Sequence, residues 1–456
     1  MSSGENQRGG FGTKIGFIMA AAGSAVGLGN LWKFPYLTGA YGGGVFLITY
    51  LFILAIVAVP VVMGETAMGR YAKTSSVSAY EKIALECGKT KWWGIVGFFG
   101  VLACFAMFAY YSVVGGWVTS FFFKSVTTGL PSGEAATEAF NTLVSGTWQP
   151  ILWHFVFLGV SMAIVLRGIS GGIEKAGNFM MPALFVMLLI VVARSLTLPG
   201  AMEGVVWMFK PDFSKFNSEM IMAALGQVFF SVSLGIGALI TYGSYMKGDE
   251  NIVQTSIIVP VLDTAVAILA GLAILPAVFA FGFEPGQGPG LLFVTVPSIF
   301  ASFGPLAGRL FGIIFFLLAL FAALTTSIAM IEIPAAFFID KLGWSRKKAV
   351  WFIGAVTFVL GIFSSLAMGP WADKLIFGLN FFDLMDAVSA KILMPVGGLL
   401  MAVFVGYIWK PENAVPAITN NGQIKFGWFG FWKICMKVVI PILIIFIFLS
   451  GFGIKA

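Results

Sequence analysis

One apolar segment near the N-terminus holds too many glycines for an ordinary membrane helix. It begins near Ile15, and positions 23–30 read GSAVGLGN. Each interior glycine costs about 1 kcal/mol of helix stability relative to alanine. In a bilayer, unwound backbone persists only where protein buries it or where it lines a cavity. The segment therefore predicts a broken helix whose carbonyls can hold a cation and whose amides can hold a carboxylate. A glycine-rich contact between two helices is the alternative.

The composition of the whole chain is that of a membrane protein. Hydrophobic residues make up 59% of the sequence and charged residues 10%. About 20 consecutive apolar residues suffice to span a bilayer as a helix. We expect no cleavable signal peptide, because positions 1–10 are polar and the first apolar run continues past Pro35. Eleven spans are predicted, at 15–37, 43–69, 92–123, 151–167, 176–198, 219–246, 255–281, 306–340, 348–368, 379–408 and 431–454.

Lysine and arginine determine the expected orientation of these spans. If the N-terminus is cytoplasmic, the inner loops collect most of the basic residues and the outer loops far fewer. We therefore expect a multi-pass protein of the inner (plasma) membrane with a cytoplasmic N-terminus and an extracellular C-terminus. The net charge of +7 follows from this asymmetry and requires no nucleic-acid partner.

The reactive residue types are sparse and scattered. Cys87, Cys104 and Cys435 show neither metal-binding spacing nor a disulfide framework. His154 is the one histidine, and we expect it to be an interfacial residue at the start of the fourth helix. The sequence contains no nucleophile–base pair, phosphate-binding loop or metal cluster. It therefore argues against an enzyme.

A second interrupted helix lies five predicted helices after the first. Positions 227–238 read QVFFSVSLGIGA, which is again small, polar and glycine-spaced inside an apolar span. Two such interruptions at matching places in successive five-helix halves indicate a transporter built from inverted repeats. We expect the repeats at 15–198 and 199–408, after a cytoplasmic tail at 1–14. Positions 409–456 then hold the eleventh helix and the C-terminus.

Polar side chains inside the predicted spans point in the same direction, since intramembrane ionisable residues are costly and usually functional. The eighth helix adds three adjacent hydroxyls, Thr325, Thr326 and Ser327. Such hydroxyls most often bond back to a preceding carbonyl, but a cluster also suits a hard cation. Sodium, potassium and protons all remain open on this chemistry. The ionisable residues are Glu65, Asp263, Glu332, Asp383 and Asp386.

Three motifs together resemble the neurotransmitter:sodium symporter family and its bacterial amino-acid branch. They are the first-helix string, YGGG at 41–44 and ETAMGR at 65–70, and the resemblance covers nearly the whole chain. It implies an all-α integral membrane protein with a LeuT-like fold. That fold has about 11 transmembrane helices, two inverted five-helix repeats and breaks in helices 1 and 6. It also implies sodium-coupled import of an amino acid by alternating access.

The resemblance assigns two sodium sites, one of which the substrate carboxylate completes. The first set is Ala25, Asn30, Ser231 and Asp263. The second set is Gly23, Val26, Ala322, Thr325 and Thr326. Because a shared carboxylate ligand makes the binding of sodium and substrate interdependent, this arrangement explains coupling.

The resemblance also places the substrate. Its carboxylate meets amides of Gly27, Leu28 and Gly29 together with the Tyr111 hydroxyl. Its ammonium meets carbonyls of Ala25, Phe230 and Ser231 near Ser233. Monoamine carriers of the family have an acidic residue where this chain has Gly27, so the substrate brings its own carboxylate. The side-chain wall is mostly apolar, which predicts a hydrophobic or aromatic amino acid, and consists of Met107, Val114, Phe230, Ile236, Thr326 and Met330.

Two departures from the family bear on chloride. Many animal members bind chloride near the positions of Tyr50, Gln227 and Ser231. This chain has Asp263 where LeuT has asparagine, and Ala267 where LeuT has a charge-balancing glutamate. A fixed anion beside a sodium ion offsets the ion's desolvation. We therefore expect Asp263 to replace chloride and transport to be chloride-independent.

Gates are assigned by the same resemblance. Lys33 and Asp386 form the outer gate, although a lysine lacks the bidentate fork of the arginine in LeuT. The inner gate consists of Arg8, Asp340, Tyr245 and Glu332. Gly172 and Pro182, with nine residues between them, resemble the pattern at which helix 5 unwinds in an eleven-helix bacterial member to hydrate the second sodium. A proline near a helix start is also ordinary.

Two other function classes compete with a transporter. A sensor would bind the same ligands without flux, but both gates are present and no signalling domain is attached. A channel would need a continuous polar pore, which Phe230 would block. The sequence does not rank leucine, methionine, tyrosine and tryptophan as substrates.

Overall fold

The structure, a computed structural model, describes residues 9–248, 250–283 and 290–451. Nine helices in this part of the chain are long and apolar enough to cross a membrane. Two further crossings are interrupted, and their longest pieces have 12 and 14 residues. Arg8, assigned to the inner gate, lies outside the described residues. The eleven crossings, α1 to α11, are Lys14–Ala40 (interrupted), Gly44–Ala72, Lys91–Thr127, Trp148–Leu166, Ile169–Leu196, Ser218–Ser244 (interrupted), Ile252–Ala280, Pro305–Leu342, Arg346–Leu366, Phe381–Trp409 and Phe429–Gly451.

The predicted break in α1 is present. A first helix, Lys14–Ala25, ends where Val26 and Gly27 adopt extended backbone angles. The chain turns helical again at Leu28–Leu31 and at Lys33–Ala40. The extended pair is fully buried in protein, which is the condition for unwound backbone at membrane depth.

The predicted break in α6 is also present and is wider. The first half, Ser218–Ser231, is separated from Ala238–Ser244 by a turn at 232–237. Gly235 and Gly237 have φ angles of +82° and +76°, which glycine adopts without steric cost. A Cβ on Gly235 would lie 2.6 Å from the amide nitrogen of Gly398 in α10. Glycine is therefore required there both for conformation and for packing.

Short helices in the connections escape the hydropathy pattern, because they are too short or too polar to resemble a span. They pack against the long crossings. These helices are Ser76–Glu86, Glu134–Ser145, Ala201–Phe209, Val296–Ala301 and Pro411–Thr419.

His154 is buried rather than interfacial, so that prediction is wrong. Its ring stacks on Phe358 of α9, with centroids 5.4 Å apart and an interplanar angle of 5°. A Cβ on Gly361 would lie 2.4 Å from His154 Nε2, and a Cβ on Gly116 would lie 2.6 Å from its main-chain nitrogen. Gly361 of α9 therefore makes room for the imidazole, and Gly116 of α3 for the main chain of α4. The position of His154 along α4 does not reveal either contact.

Candidate functional site

A polar centre joins the breaks of α1 and α6 to α7. Asn30 Nδ2 donates to Asp263 Oδ1 at 2.8 Å, to the Asp263 carbonyl at 3.2 Å and to Ser231 Oγ at 3.2 Å. Ser231 Oγ donates to Asp263 Oδ2 at 2.7 Å. The three residues are at most 2% exposed. We call this group the carboxylate centre, because Asp263 contributes its negative charge.

Asn30 also fixes the extended turn of α1. Its Oδ1 accepts a hydrogen bond from the amide of Gly27 at 3.0 Å. The side chain therefore holds the break in place while its other end contacts Asp263. Local sequence shows the asparagine and the glycines, but only the folded chain brings them to α7.

A second polar centre lies where α8 meets the first half of α1. Thr326 Oγ1 donates to the carbonyl of Val26 at 3.0 Å and approaches that of Gly23 at 3.5 Å. Thr325 Oγ1 approaches the Val26 carbonyl at 3.4 Å and bonds to the Ala322 carbonyl at 3.1 Å. We call this group the hydroxyl centre. Its oxygens are all formally neutral, and it contains each residue of the second sodium set.

A cavity of about 20 Å³ lies beside the two centres. That volume holds about one water molecule, so the centre of the molecule is closed around very little free space. Tyr111 OH accepts from the amide of Leu28 at 3.4 Å across it. The cavity is lined by Ala25, Gly27, Leu28, Gly29, Asn30, Met107, Tyr111, Phe230, Ser231, Ser233, Thr326 and Met330.

Most of the predicted substrate residues therefore meet at one place. Val114 and Ile236 are buried but do not line this closed cavity. Ser233 has a positive φ of 54°, and its hydroxyl donates to the carbonyl of Ser24 at 3.1 Å. The turn of α6 is thereby fastened to the first half of α1.

Glu65, one of the intramembrane ionisable residues, supports the break in α6. Its Oε1 accepts from the amide of Gly235 at 3.0 Å, and the side chain is 1% exposed. An amide freed by the unwound turn is thus paired inside the protein. Asp383, by contrast, lies at the exposed start of α10 and accepts from Asn380 Nδ2 at 2.9 Å.

The two outer-gate residues do not meet directly. In the described part of the chain, Lys33 Nζ lies 4.7 Å from the centroid of the Phe230 ring and forms no direct ion pair with Asp386. A cation over an aromatic face is attracted by the ring quadrupole. Lys33 therefore contacts an aromatic ring, a pairing that sequence spacing does not predict.

Glu332, assigned to the inner gate, forms a largely buried ion pair that sequence reasoning missed. Arg346 at the start of α9 donates to its two carboxylate oxygens at 2.6 and 3.0 Å. Tyr245 OH donates to Glu332 Oε1 at 2.6 Å. The basic cluster at 346–348 is visible in the sequence. The sequence does not show that Arg346 pairs with Glu332, which lies 14 residues earlier on α8.

Asp340, also assigned to the inner gate, binds the connection after α2. Its Oδ2 accepts from Thr74 Oγ1 at 3.0 Å and from the amide of Ser75 at 2.5 Å. Gly172 lies in a π-helical turn at Ile169–Glu174, and Pro182 lies inside the following helix Lys175–Leu196. The α5 segment is therefore wound in this structure, and its unwinding stays a prediction.

Two broken helices, with oxygen-rich centres at both sides of a central cavity, define a membrane transporter of the LeuT-like fold. A profile of the sodium:neurotransmitter symporter family matches residues 8–149 and 144–454. The chain therefore belongs to this family, and it is a sodium-coupled symporter rather than an enzyme.

Individual relatives agree with this assignment over nearly their whole length. The uncharacterized sodium-dependent transporter YhdH of Bacillus subtilis is 37% identical over 97% of this chain and 97% of its own. An uncharacterized sodium-dependent transporter of Haemophilus influenzae is 37% identical over 99% and 100%. The crystal structure of MhsT in complex with L-phenylalanine superimposes with a TM-score of 0.88. It is 39% identical over 97% of this chain and 100% of that one.

Proposed function

We propose that this protein imports hydrophobic or aromatic L-amino acids together with two sodium ions, without chloride. The observation that carries the proposal is the carboxylate centre, because its charge lies beside the cavity and the unwound turn of α1. A cation bound at the carboxylate centre can be coordinated by a carboxylate oxygen of Asp263. A substrate carboxylate in the cavity lies within reach of the same cation.

The first sodium ion is assigned to the carboxylate centre. Asn30, Ser231 and Asp263 already converge within hydrogen-bond distance of one another, and the Ala25 carbonyl completes the protein ligands. Oxygen ligands suit a hard cation. In this structure Asn30 and Ser231 donate hydrogen bonds to the carboxylate oxygens of Asp263. When sodium binds, it replaces these donors at the same oxygens.

The second sodium ion is assigned to the hydroxyl centre. The carbonyls of Gly23, Val26 and Ala322 lie around the Thr325 and Thr326 hydroxyls. Because the break in α1 frees the carbonyls of Gly23 and Val26 from helical bonding, these two can turn to an ion without breaking a helix. The α8 hydroxyls supply the remaining oxygens.

The substrate class follows from the lining of the cavity. Met107, Phe230 and Met330 provide an apolar wall, while the α1 turn and Tyr111 OH provide polar contacts at one end. Such a division suits an amino acid with an apolar side chain. The similarity to MhsT, whose crystal structure holds L-phenylalanine, supports this choice. Admission of a substrate requires the wall to move outward, since the cavity holds only about 20 Å³.

Chloride independence is assigned to Asp263. The residue is fully buried and bonds to both Asn30 and Ser231. Its fixed charge offsets the desolvation of a neighbouring cation. A mobile chloride ion would then add a second anion to a site that one carboxylate already balances.

The transport cycle alternates between two closures, an outer one at Lys33 and Phe230 and an inner one at Glu332 and Arg346. We place the N-terminus in the cytoplasm and the C-terminus outside. The reason is that most basic residues lie in loops on the same side of the membrane as the N-terminus. A bundle of helices drawn from the two five-helix repeats, 15–198 and 199–408, then rocks between outward and inward openings around the central site. Unwinding of α5 between Gly172 and Pro182 would let water reach the second sodium.

The proposal is tested by binding of a labelled hydrophobic amino acid to purified protein. Sodium replaces potassium in the titration, which is run with and without chloride. We expect binding that requires sodium, with a cooperative dependence for two ions, and that is indifferent to chloride. Binding that persists in potassium would refute the ion assignment, and a requirement for chloride would refute the role of Asp263.

A sensor with the same fold would give the same binding result, so uptake must be measured as well. Labelled substrate is offered to sealed vesicles with an inward sodium gradient. Accumulation that collapses with the gradient indicates a symporter. Binding without accumulation would favour the sensor.

A further inference from the structure

Glu174 joins the start of α1 to the start of α5. Its Oε2 accepts from the amide of Gly12 at 2.6 Å, and its Oε1 accepts from the amide of Thr13 at 3.0 Å and from Thr13 Oγ1 at 2.7 Å. Three donors at the beginning of α1 thus converge on one carboxylate from α5. None of the assigned substrate, sodium or gate residues makes these contacts.

The Glu174 carboxylate occupies a buried space beside Gly16. A Cβ on Gly16 would lie 2.2 Å from Glu174 Oε1, so only glycine leaves room at that position. Glu174 is 6% exposed. A buried carboxylate is retained where hydrogen bonds satisfy its charge, and each of its oxygens has a donor here.

The same contacts stabilise the helix start. Thr13 Oγ1 accepts from the amide of Gly16 at 2.9 Å, which caps α1. An anion near a helix N-terminus is favoured by the exposed amides and the helix dipole. Bonds to a charged acceptor are also stronger than neutral ones. Glu174 therefore orders α1 at the point where the helix begins.

The opposite side of this helix start is tied to the end of α6. Lys247 Nζ donates to the carbonyl of Gly12 at 2.6 Å, and the amide of Phe11 donates to the carbonyl of Tyr245 at 3.3 Å. Residues 11–13 are thus held between α5 and the end of α6. Any movement that opens the cytoplasmic side at α1 must break one of these two sets of contacts.

We propose that Glu174 is a positioning residue of the transport cycle, a latch by which α5 holds the first half of α1 in its closed position. The proposal rests on the alternating access stated above. When the latch is released, the start of α1 separates from α5 and the cytoplasmic side opens. Glu174 touches neither substrate nor ion and acts on both through the position of α1.

Hydrogen exchange of the purified full-length protein tests the latch, in potassium and without substrate. Glu174→Gln keeps the size of the side chain but removes its charge. We expect exchange of the amides at 12–25 to rise about tenfold, since bonds to charged groups are worth that much or more in an opening equilibrium. Exchange across α9, at 346–366, should stay unchanged. Glu81→Gln is the matched control, because Glu81 pairs with Lys341 on the same side of the protein without contacting α1.

Thr13 provides a second test that does not depend on the stability of the Glu174 variant. Thr13→Val should raise exchange at 12–25, whereas Thr13→Ser, which keeps the hydroxyl, should not. The effect of Thr13→Val combined with Glu174→Gln should be smaller than the sum of the two single effects, since both substitutions act on the hydrogen bond between Thr13 Oγ1 and Glu174. Apparent substrate affinity in sodium should fall in Glu174→Gln, because a smaller fraction of molecules is in the closed form.

The outcomes separate cleanly. Unchanged exchange at 12–25 in both Glu174→Gln and Thr13→Val would overturn the latch. So would an increase shared equally by α9, which indicates general loosening, or strict additivity of the two substitutions. Because exchange is measured without substrate, it stands apart from the proposed function, whose failure would appear in the binding and uptake experiments on the parent protein.

Discussion

The carboxylate centre and the hydroxyl centre share the broken helix α1 but differ in charge. Asp263 brings a full negative charge to the first, where Asn30 and Ser231 hydrogen-bond to it at 2.7–2.8 Å. The second has only carbonyl and hydroxyl oxygens, with contacts of 3.0–3.5 Å to α1. One centre is therefore tightly organised around an anion, and the other is a looser set of dipoles.

This difference indicates a division of labour between the two assigned ions. A buried charge with hydrogen-bonded partners is expensive to disturb, so the carboxylate centre should bind its ion strongly and link it to the substrate. Neutral oxygens at longer distance hold an ion more weakly. The hydroxyl centre should therefore release first when the cytoplasmic side opens.

The strongest test of the comparison is Asp263→Asn. Leaving a buried ionic partner without its counter-charge costs about 3–5 kcal/mol, so apparent sodium affinity should fall by about two to almost four orders of magnitude. Transport should slow and respond to chloride, which can restore the missing charge. Sodium titration of substrate binding, with and without chloride, measures both effects. Asp212→Asn is the control, since Asp212 is exposed and its carboxylate accepts hydrogen bonds from the nearby Ser214.

Moving the charge sharpens the same test. In the Asp263→Asn background, Ala267→Glu restores a carboxylate one helical turn further along α7. We expect sodium affinity to recover and the chloride response to disappear. If Asp263→Asn alters neither sodium affinity nor chloride response, the charge does not distinguish the two centres.

Tyr111→Phe should have the next largest effect. Loss of one hydrogen bond to a charged carboxylate weakens binding by about 1.5–3 kcal/mol. Because that carboxylate is assigned to the carboxylate centre, apparent sodium affinity there should fall by the same factor. Isothermal titration of substrate at fixed sodium measures the loss of substrate affinity. Titration of sodium at fixed substrate measures the loss of sodium affinity.

Tyr110→Phe serves as the control for Tyr111→Phe, since the neighbouring ring packs on Phe382, 5.3 Å between centroids, and does not line the cavity. Unchanged affinity in Tyr111→Phe would remove this tyrosine from the site. A loss of substrate affinity with no change for sodium would show that the carboxylate is not a shared ligand.

The smallest effect is expected from Thr326→Val at the hydroxyl centre. The substitution keeps the shape but removes a neutral hydrogen-bonding group, worth about 0.5–1.5 kcal/mol. Sodium dependence should weaken less than tenfold, and the cooperativity of the titration should decrease. Ser327→Ala is the control, because this neighbouring hydroxyl bonds to Ser161 at 2.8 Å instead. If Thr326→Val lowered sodium affinity as much as Asp263→Asn does, the hydroxyl centre would not bind its ion more weakly than the carboxylate centre.

Much of the fold could be predicted because hydropathy and glycine spacing are local properties. All eleven crossings lie within a few residues of their predicted positions, apart from the start of α5, and the breaks of α1 and α6 are confirmed. The early start of α5 comes from the π-helical turn at Ile169–Glu174, which a polar, glycine-containing sequence conceals. The short connecting helices are not predicted because they are too short or too polar to resemble spans.

The candidate site was predictable in its members more than in its contacts. Asn30, Asp263 and Thr326 are recognisable from the sequence and the family resemblance. The structure brings Asn30 and Thr326 to one cavity and bonds Asp263 to Asn30. The pairings of Lys33 with Phe230 and of Glu332 with Arg346 were not predictable. A charge in the sequence indicates that a partner is needed, but which partner it meets depends on how separate helices pack.

By itself, the sequence determined that this chain is helical, spans the membrane eleven times and unwinds twice within it, since glycine content and apolar length act on each segment alone. Tertiary structure decided where the freed carbonyls point and which groups the buried carboxylates bind. It also decided that Lys33 contacts Phe230 and that Glu332 pairs with Arg346. Glu174 illustrates the division. The sequence shows an acidic residue beside a glycine-rich turn, whereas its three donors come from a segment about 160 residues earlier. Only packing can bring them within hydrogen-bond distance, because such bonds depend on geometry to a few tenths of an ångström.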